Sequence, residues 1–131
     1  MIDHTGVIVS DFPKSKAFYS AALGAIGIAV LKEFPASVTG NTDVAGYGAQ
    51  EASAQGLSPE FWLARGEPGS IPVHIAFRVS SRALVDAFYN AAIGAAPPAC
   101  ARSIIQTTTA RSFLIPMATT SKRFAASRRE H

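Results

Sequence analysis

The sequence predicts an α+β fold made of two related βαβββ modules. Two segments coincide when the chain is shifted by 70 positions: "HTGVIVSDFPKSKAFYSAALGA" at 4–25 and "HIAFRVSSRALVDAFYNAAIGA" at 74–95. Ten of their 22 positions are identical, including a histidine, a Phe-Tyr pair and a glycine. Helix-forming composition accounts for some of the shared alanines but not for the other matches, so we interpret the segments as a duplicated unit.

Each copy of this unit reads as a strand followed by a helix. In the first copy, apolar residues occupy both faces of positions 2–9, so we expect a strand that is covered on both sides. Helices are predicted over about 13–23 and about 82–93, and Gly24 and Gly94 are natural helix terminators. Three further strands, separated by turn-rich segments, are predicted after the first helix at about 27–34, 43–49 and 59–65. The first module is therefore βαβββ, and the repeat predicts the same order in the second.

Length and composition indicate one soluble globular domain, or two half-size modules that share a core. The chain has 131 residues, of which 48% are hydrophobic and 16% are charged. No stretch reaches the roughly 20 apolar residues of a membrane span, and the first residues lack the pattern of a signal peptide. Cys100 is the only cysteine, which excludes an internal disulfide. These features predict a cytoplasmic protein.

The distribution of charge divides the chain near position 95. Residues 1–94 carry a net charge of −2, whereas residues 95–131 carry six basic and one acidic side chain, a net charge of +5. Nucleic-acid binding through this basic tail is a weak alternative, because no aromatic platform accompanies the charges. Within the tail, "SIIQTTT" (103–109) and "SFLIPM" (112–117) have the β-branched and apolar character to pair as strands, and "SKRFAASRREH" is expected to be a loose helix or disordered.

The chain resembles the vicinal oxygen chelate superfamily, which includes glyoxalase I, bleomycin-resistance proteins and extradiol dioxygenases. The resemblance rests on "DHTGVIVSDFPKSKAFY" near the start, on "HIAFRV" opening the second copy, and on the paired βαβββ order. It implies that the two modules form an open, incomplete barrel around a metal cavity, and that the protein is a homodimer. The chain then divides into a first module (1–70), the first strand and helix of a truncated or altered second module (71–95), and an atypical tail (96–131).

The resemblance also identifies candidate metal ligands. His4 and His74 match the family's ligands on the first strand of each module, and neutral imidazole binds Zn, Ni, Mn or Fe. For a single histidine on an apolar strand, a place in the core is the commoner alternative. The family's third ligand, a carboxylate on the closing strand of the second module, is absent from this chain, since the only acid of the tail is Glu130.

Three further residues are candidates for substrate binding, and no catalytic residue is assigned. Tyr47 and Trp62 could line a cavity that stacks a planar substrate, although core packing is the commoner role for either. Arg78 lies four residues after His74, on the same face of an alternating strand, where it could hold an anionic group or form a surface ion pair. The segment "PEFWLAR" has no carboxylate at its centre, which argues against the four-ligand site of glyoxalase I.

A second reading frame offers one explanation of the missing glutamate. Codons allowed for residues 103–125, read from the last base of the Ser103 codon, can encode "DHPNYYGAFVPDPDGNNIEAVC". This string contains the loop, the closing strand and the glutamate that the family has at its C-terminus. We therefore hypothesise that the residues from about 95 onward are a frameshifted translation of a family C-terminus. A divergent tail with its own packing is the alternative.

The predicted activity follows from the resemblance. It implies metal-assisted chemistry on a small oxygenated substrate, by a lyase, isomerase or dioxygenase of the glyoxalase-like kind, and we expect this activity to be impaired in a chain without the third ligand. The alternative is a metal-free protein that binds a small molecule, as in the bleomycin-resistance branch.

Overall fold

A mixed four-stranded sheet and one long helix form the first half of the chain. The computed structural model describes residues 1–51, 56, 58–70 and 73–95, together with the backbone of 113–119. The elements of the first half, in chain order, are β1 (Thr5–Val9), α1 (Phe12–Gly24), β2 (Ile28–Phe34), α2 (Ala36–Thr39), β3 (Val44–Ala49) and β4 (Phe61–Arg65). The sheet order is β1-β4-β3-β2, with β1 parallel to β4 and the other neighbours antiparallel. This confirms the predicted βαβββ order.

Two local features of the first half differ from the prediction. The one-turn helix α2 lies where only a turn was predicted, and it ends at Gly40, whose φ of 73° favours glycine. The strand β1 is covered on one face only, because Val7 and Val9 are buried whereas Ile8 is 52% exposed. The expectation that both faces are covered was wrong, since α1 packs against only one side of the sheet.

The second half begins like the first and then departs from it. Strand β5 (Val73–Val79) and helix α3 (Arg82–Ala95) repeat the order of β1 and α1, and α3 continues through Gly94, which does not terminate it. Strand β6 (Phe113–Thr119) runs antiparallel to β5 along its whole length. In the first half, by contrast, β1 has a parallel partner. The strand predicted around "SFLIPM" is thus confirmed as β6, while "SIIQTTT" and "SKRFAASRREH" lie outside the described residues.

One hydrophobic core joins the two halves. Helix α1 packs against α3, and buried residues of both halves belong to one cluster. At its centre the ring of Phe61 contacts Tyr19 and Tyr47, with centroids 5.2 and 5.9 Å away. The same ring meets Phe77 of β5 edge-on at 5.3 Å, and Phe77 contacts Phe88 of α3 at 6.4 Å. The fold is therefore α+β and open, and its two halves meet through aromatic side chains.

The central position of Phe61 predicts a large effect of its removal. Phe61 is 4% exposed, so we expect Phe61→Ala to lower the free energy of unfolding by about 3–5 kcal/mol, through lost contacts and a cavity. Phe34 of β2 is a matched control, because it is the same residue type but is 39% exposed. Phe34→Ala should cost less than about 1 kcal/mol in urea denaturation. Equal losses in the two variants would show that Phe61 does not occupy a central position.

Candidate functional site

Trp62 lies on the face of the four-stranded sheet that points away from α1. This face is partly covered, since Gly46, Gly48 and Pro59 are buried on it and Trp62 is half-buried. Along β4, Phe61 and Leu63 are buried in the core, and Trp62 between them points to the other side. In the sheet register Trp62 lies beside Gly6 of β1 and Gly46 of β3. A Cβ atom at position 6 would come within 2.8 Å of the Trp62 carbonyl oxygen, and one at position 46 within 2.9 Å of the Trp62 ring. The two glycines therefore give β4 and the indole ring room on this face.

His4 lies immediately before β1, two residues from Gly6. Its Nδ1 donates a hydrogen bond to Asp3 Oδ2 at 2.8 Å, and the side chains of His4 and Asp3 are 60% and 87% exposed. This bond leaves Nε2 of His4 without a partner among the described residues. A carboxylate on one ring nitrogen fixes the tautomer in which the other nitrogen can bind a metal ion. The role of Asp3 was missed from the sequence, although its adjacency to His4 was visible there.

His74 and Arg78 lie on the exposed face of β5. Their positions alternate with Ile75, Phe77 and Val79, which face the core. Arg78 thus shares the exposed face of His74, at a distance of about 13 Å along the strand for 3.3 Å per residue. Among the described residues, Arg78 makes no ion pair. The guanidinium group is therefore available to an anionic group of a ligand.

Tyr47 lies on the opposite face of the sheet from Trp62. It is completely buried, and its hydroxyl donates to the carbonyl oxygen of Lys16 at 3.3 Å and lies 3.2 Å from Ser20 Oγ. Burial raises the pKa of the Tyr47 phenol, and the Ser20 hydrogen bond opposes that rise. This is the placement expected of core packing, the alternative role considered for this residue. The local sequence "GYG" carried a signal for this placement. Gly46 and Gly48 have no side chain that could fill the core, so Tyr47 is the residue of this segment that can do so.

The described residues do not supply a complete metal centre. In the part of the chain that the structure describes, no three His, Cys, Asp or Glu side chains lie close enough together to hold an ion. His4 and His74 are both exposed, each near the start of the first strand of its half. Glu130 lies outside the described residues. The two histidines belong to different sheets, since His4 precedes β1 of the four-stranded sheet and His74 lies on β5 of the two-stranded one.

These features define a class of protein: a repeat-built α+β fold with a sheet that is not closed into a barrel and an exposed histidine at the start of each half. The sequence profile of the Glyoxalase/Bleomycin resistance protein/Dioxygenase superfamily matches residues 1–95. The match covers well over half of the chain, so the protein belongs to this superfamily. It ends where the charge and the repeat pattern change. A search of curated proteins found no match.

No helix within the described ranges is long and apolar enough to cross a membrane.

The bonds of the Tyr47 hydroxyl predict a structural effect of Tyr47→Phe. The substitution keeps the buried ring but removes the bonds to Lys16 and Ser20, so the free energy of unfolding should fall by about 0.5–1.5 kcal/mol. Tyr89 is the matched control, because it is 43% exposed and makes no hydrogen bond among the described residues. Tyr89→Phe should change stability by less than about 0.5 kcal/mol in urea denaturation. A loss in the control as large as that in Tyr47→Phe would contradict this assignment.

Proposed function

We propose that this chain carries out metal-assisted chemistry on a small oxygenated molecule, with His4 and His74 as ligands of a divalent transition metal. The observation that carries the proposal is that the two histidines occupy the same position in both copies of the repeat and remain exposed in both. A histidine that only filled the core would be buried. The exposure of both side chains therefore favours a role in binding.

The donor chemistry of the pair fits a metal ion. Neutral imidazole suits Zn²⁺, Ni²⁺, Mn²⁺ and Fe²⁺, and Asp3 holds Nδ1 of His4 so that Nε2 is available. A bound ion would supply a Lewis acid that polarises a substrate oxygen. The protein itself contributes an apolar wall at Trp62 and a positive charge at Arg78. A planar molecule with an anionic group suits these two side chains.

The same donor set predicts weak metal binding and impaired activity. Two neutral ligands leave the charge of a divalent ion without compensation, which a carboxylate would otherwise provide. After residue 94 the only acid is Glu130, in a segment with six basic side chains. We therefore propose that the chain as written has little or no enzymatic activity.

Metal-free binding of a small molecule is the second candidate function. The observation that favours it is the position of Trp62, which is half-buried on the sheet face away from the core, where its accessible part could stack on a ligand without any ion. Metal content distinguishes the two candidates. A transition metal held in stoichiometric amount supports the first, and a ligand bound by metal-free protein supports the second.

We further propose that the chain forms a cytoplasmic homodimer. Its open sheet has edge strands β1 and β2 with no second partner among the described residues, and such edges favour association. Light scattering that gives the mass of a single chain would contradict this.

Replacement of each histidine tests the metal site. We expect His4→Ala and His74→Ala each to weaken Zn²⁺ or Ni²⁺ binding at least tenfold in calorimetric titration, a change of about 1.4 kcal/mol, because each removes one of two ligands. The third histidine of the chain, His131, supplies the control, and His131→Ala should leave the affinity unchanged. If His4→Ala and His74→Ala bind metal as the parent chain does, the two residues are not ligands.

Restoration of the C-terminus tests the impairment. A chain in which the alternative reading replaces the segment from residue 103 onward should bind Zn²⁺, Ni²⁺, Mn²⁺ or Fe²⁺ at least tenfold tighter, because it regains a carboxylate. That gain corresponds to about 1.4 kcal/mol. A matched chain in which the single glutamate of the restored segment is replaced by glutamine should lose the gain. Equal affinity in all three chains would mean that the glutamate is not a ligand.

A further inference from the structure

The two histidines of the repeat differ in what holds their side chains. Nδ1 of His4 donates a hydrogen bond to Asp3 Oδ2 at 2.8 Å. The side chain of His74 makes no hydrogen bond or ion pair among the described residues. Directly before His74 the sequence has Val73, whose side chain cannot accept a hydrogen bond. The repeat therefore places a histidine in both halves but gives only one of them a carboxylate partner.

The backbone explains why Asp3 can reach the histidine beside it. Adjacent side chains within a strand point to opposite faces of the sheet, so they are directed away from each other. Asp3 and His4 are not subject to this restriction, because β1 begins only at Thr5. Val73 and His74, in contrast, both belong to β5. The contact that orients His4 is therefore specific to the first half.

The main chain at His4 is fixed by the sheet, whereas its ring depends on Asp3. The N–H group of Thr5 donates to the carbonyl oxygen of Glu60 at 2.9 Å, which attaches the chain to the start of β4 directly after His4. The side chain of His4 is 60% exposed, so packing restricts its ring little. The bond to Asp3 is therefore the contact that selects the tautomer of the ring.

We propose that Asp3 is a positioning residue that makes His4 the stronger of the two metal ligands. A carboxylate that accepts from Nδ1–H leaves the lone pair of Nε2 free and raises the basicity of that nitrogen. Its negative charge also lies one imidazole ring away from an ion on Nε2, in a donor set that is otherwise neutral. His74 has neither advantage. This inference rests on the proposed function, because it concerns the same pair of ligands.

The tautomer of His4 in the metal-free chain tests the positioning directly. Long-range ¹H–¹⁵N NMR spectra distinguish the two neutral tautomers of imidazole, and they are recorded in EDTA at a pH of about 8.5, where imidazole is neutral. The signals of His4 are those that disappear in His4→Ala. We expect the Nδ1–H tautomer in the parent chain and loss of this preference in Asp3→Asn, because an amide both donates and accepts.

A matched variant controls for the loss of charge. Asp86→Asn removes the same charge from α3, where the carboxylate pairs with Arg82, and it should leave the tautomer of His4 unchanged. The carboxylate of Asp3 is 87% exposed, and ion pairs so exposed contribute little to stability. Asp3→Asn should therefore fold as the parent does, which circular dichroism checks.

Calorimetric titration with Zn²⁺ tests the consequence for metal binding. Asp3→Asn should bind Zn²⁺ about tenfold more weakly than the parent chain, the loss expected when a group that orients a ligand is removed. Asp86→Asn should bind as the parent does. His4→Ala should lose more affinity than His74→Ala, because it removes the oriented ligand.

The outcomes separate this proposal from the metal site itself. The positioning role is overturned if His4 shows no preference for Nδ1–H in the parent chain, or keeps that preference in Asp3→Asn. Weaker Zn²⁺ binding by Asp3→Asn with an unchanged tautomer would make Asp3 a direct ligand instead. Equal affinities of Asp3→Asn and the parent also overturn the proposal. A parent chain that binds no Zn²⁺ would contradict the proposed function, whereas the tautomer still decides whether Asp3 positions the ring.

Discussion

The ring of Phe61 touches Tyr19 and Tyr47 in its own half of the chain and Phe77 in the other half. Phe61 can contact both halves because its strand, β4, lies inside the first sheet. There β4 is hydrogen-bonded to β1 on one side and to β3 on the other. A side chain on such a strand is held in place by both neighbours. The contact between Phe61 and Phe77 therefore fixes which face of β5 points inward, and the exposed faces of the two halves follow from it.

The inward faces of β4 and β5 determine which of their side chains are left on the surface. Because successive side chains of a strand point to opposite faces, burial of Phe61 and Leu63 places Trp62 outward. In β5 the packing of Phe77 and Val79 against the core likewise places Arg78 outward. The histidine of each half lies near the start of its first strand. In β4 and β5 the core thus takes one face of the strand and leaves Trp62 and Arg78 on the other.

The sequence was sufficient for the order of strands and helices in the first half and for the shared face of His74 and Arg78, because these follow from periodicity and from the repeat. It was sufficient for the family through the resemblance of its motifs. It did not decide between the two faces of β3 and β4, where Tyr47 and Trp62 are both aromatic. The packing of α1 decides that choice, and the glycines beside Tyr47 were its only local signal. The sequence also could not predict that β6 runs antiparallel to β5. Apolar alternation identifies a strand but not the direction in which it pairs.

We propose that the family's second module is interrupted after about residue 95, because the family match ends there and the composition becomes basic beyond it. The most direct measurement is the nucleotide sequence of the source gene, read in all frames. We predict that the frame starting at the last base of the Ser103 codon encodes DHPNYYGAFVPDPDGNNIEAVC or a close variant. A gene whose other frames contain no such family-like sequence would contradict the claim.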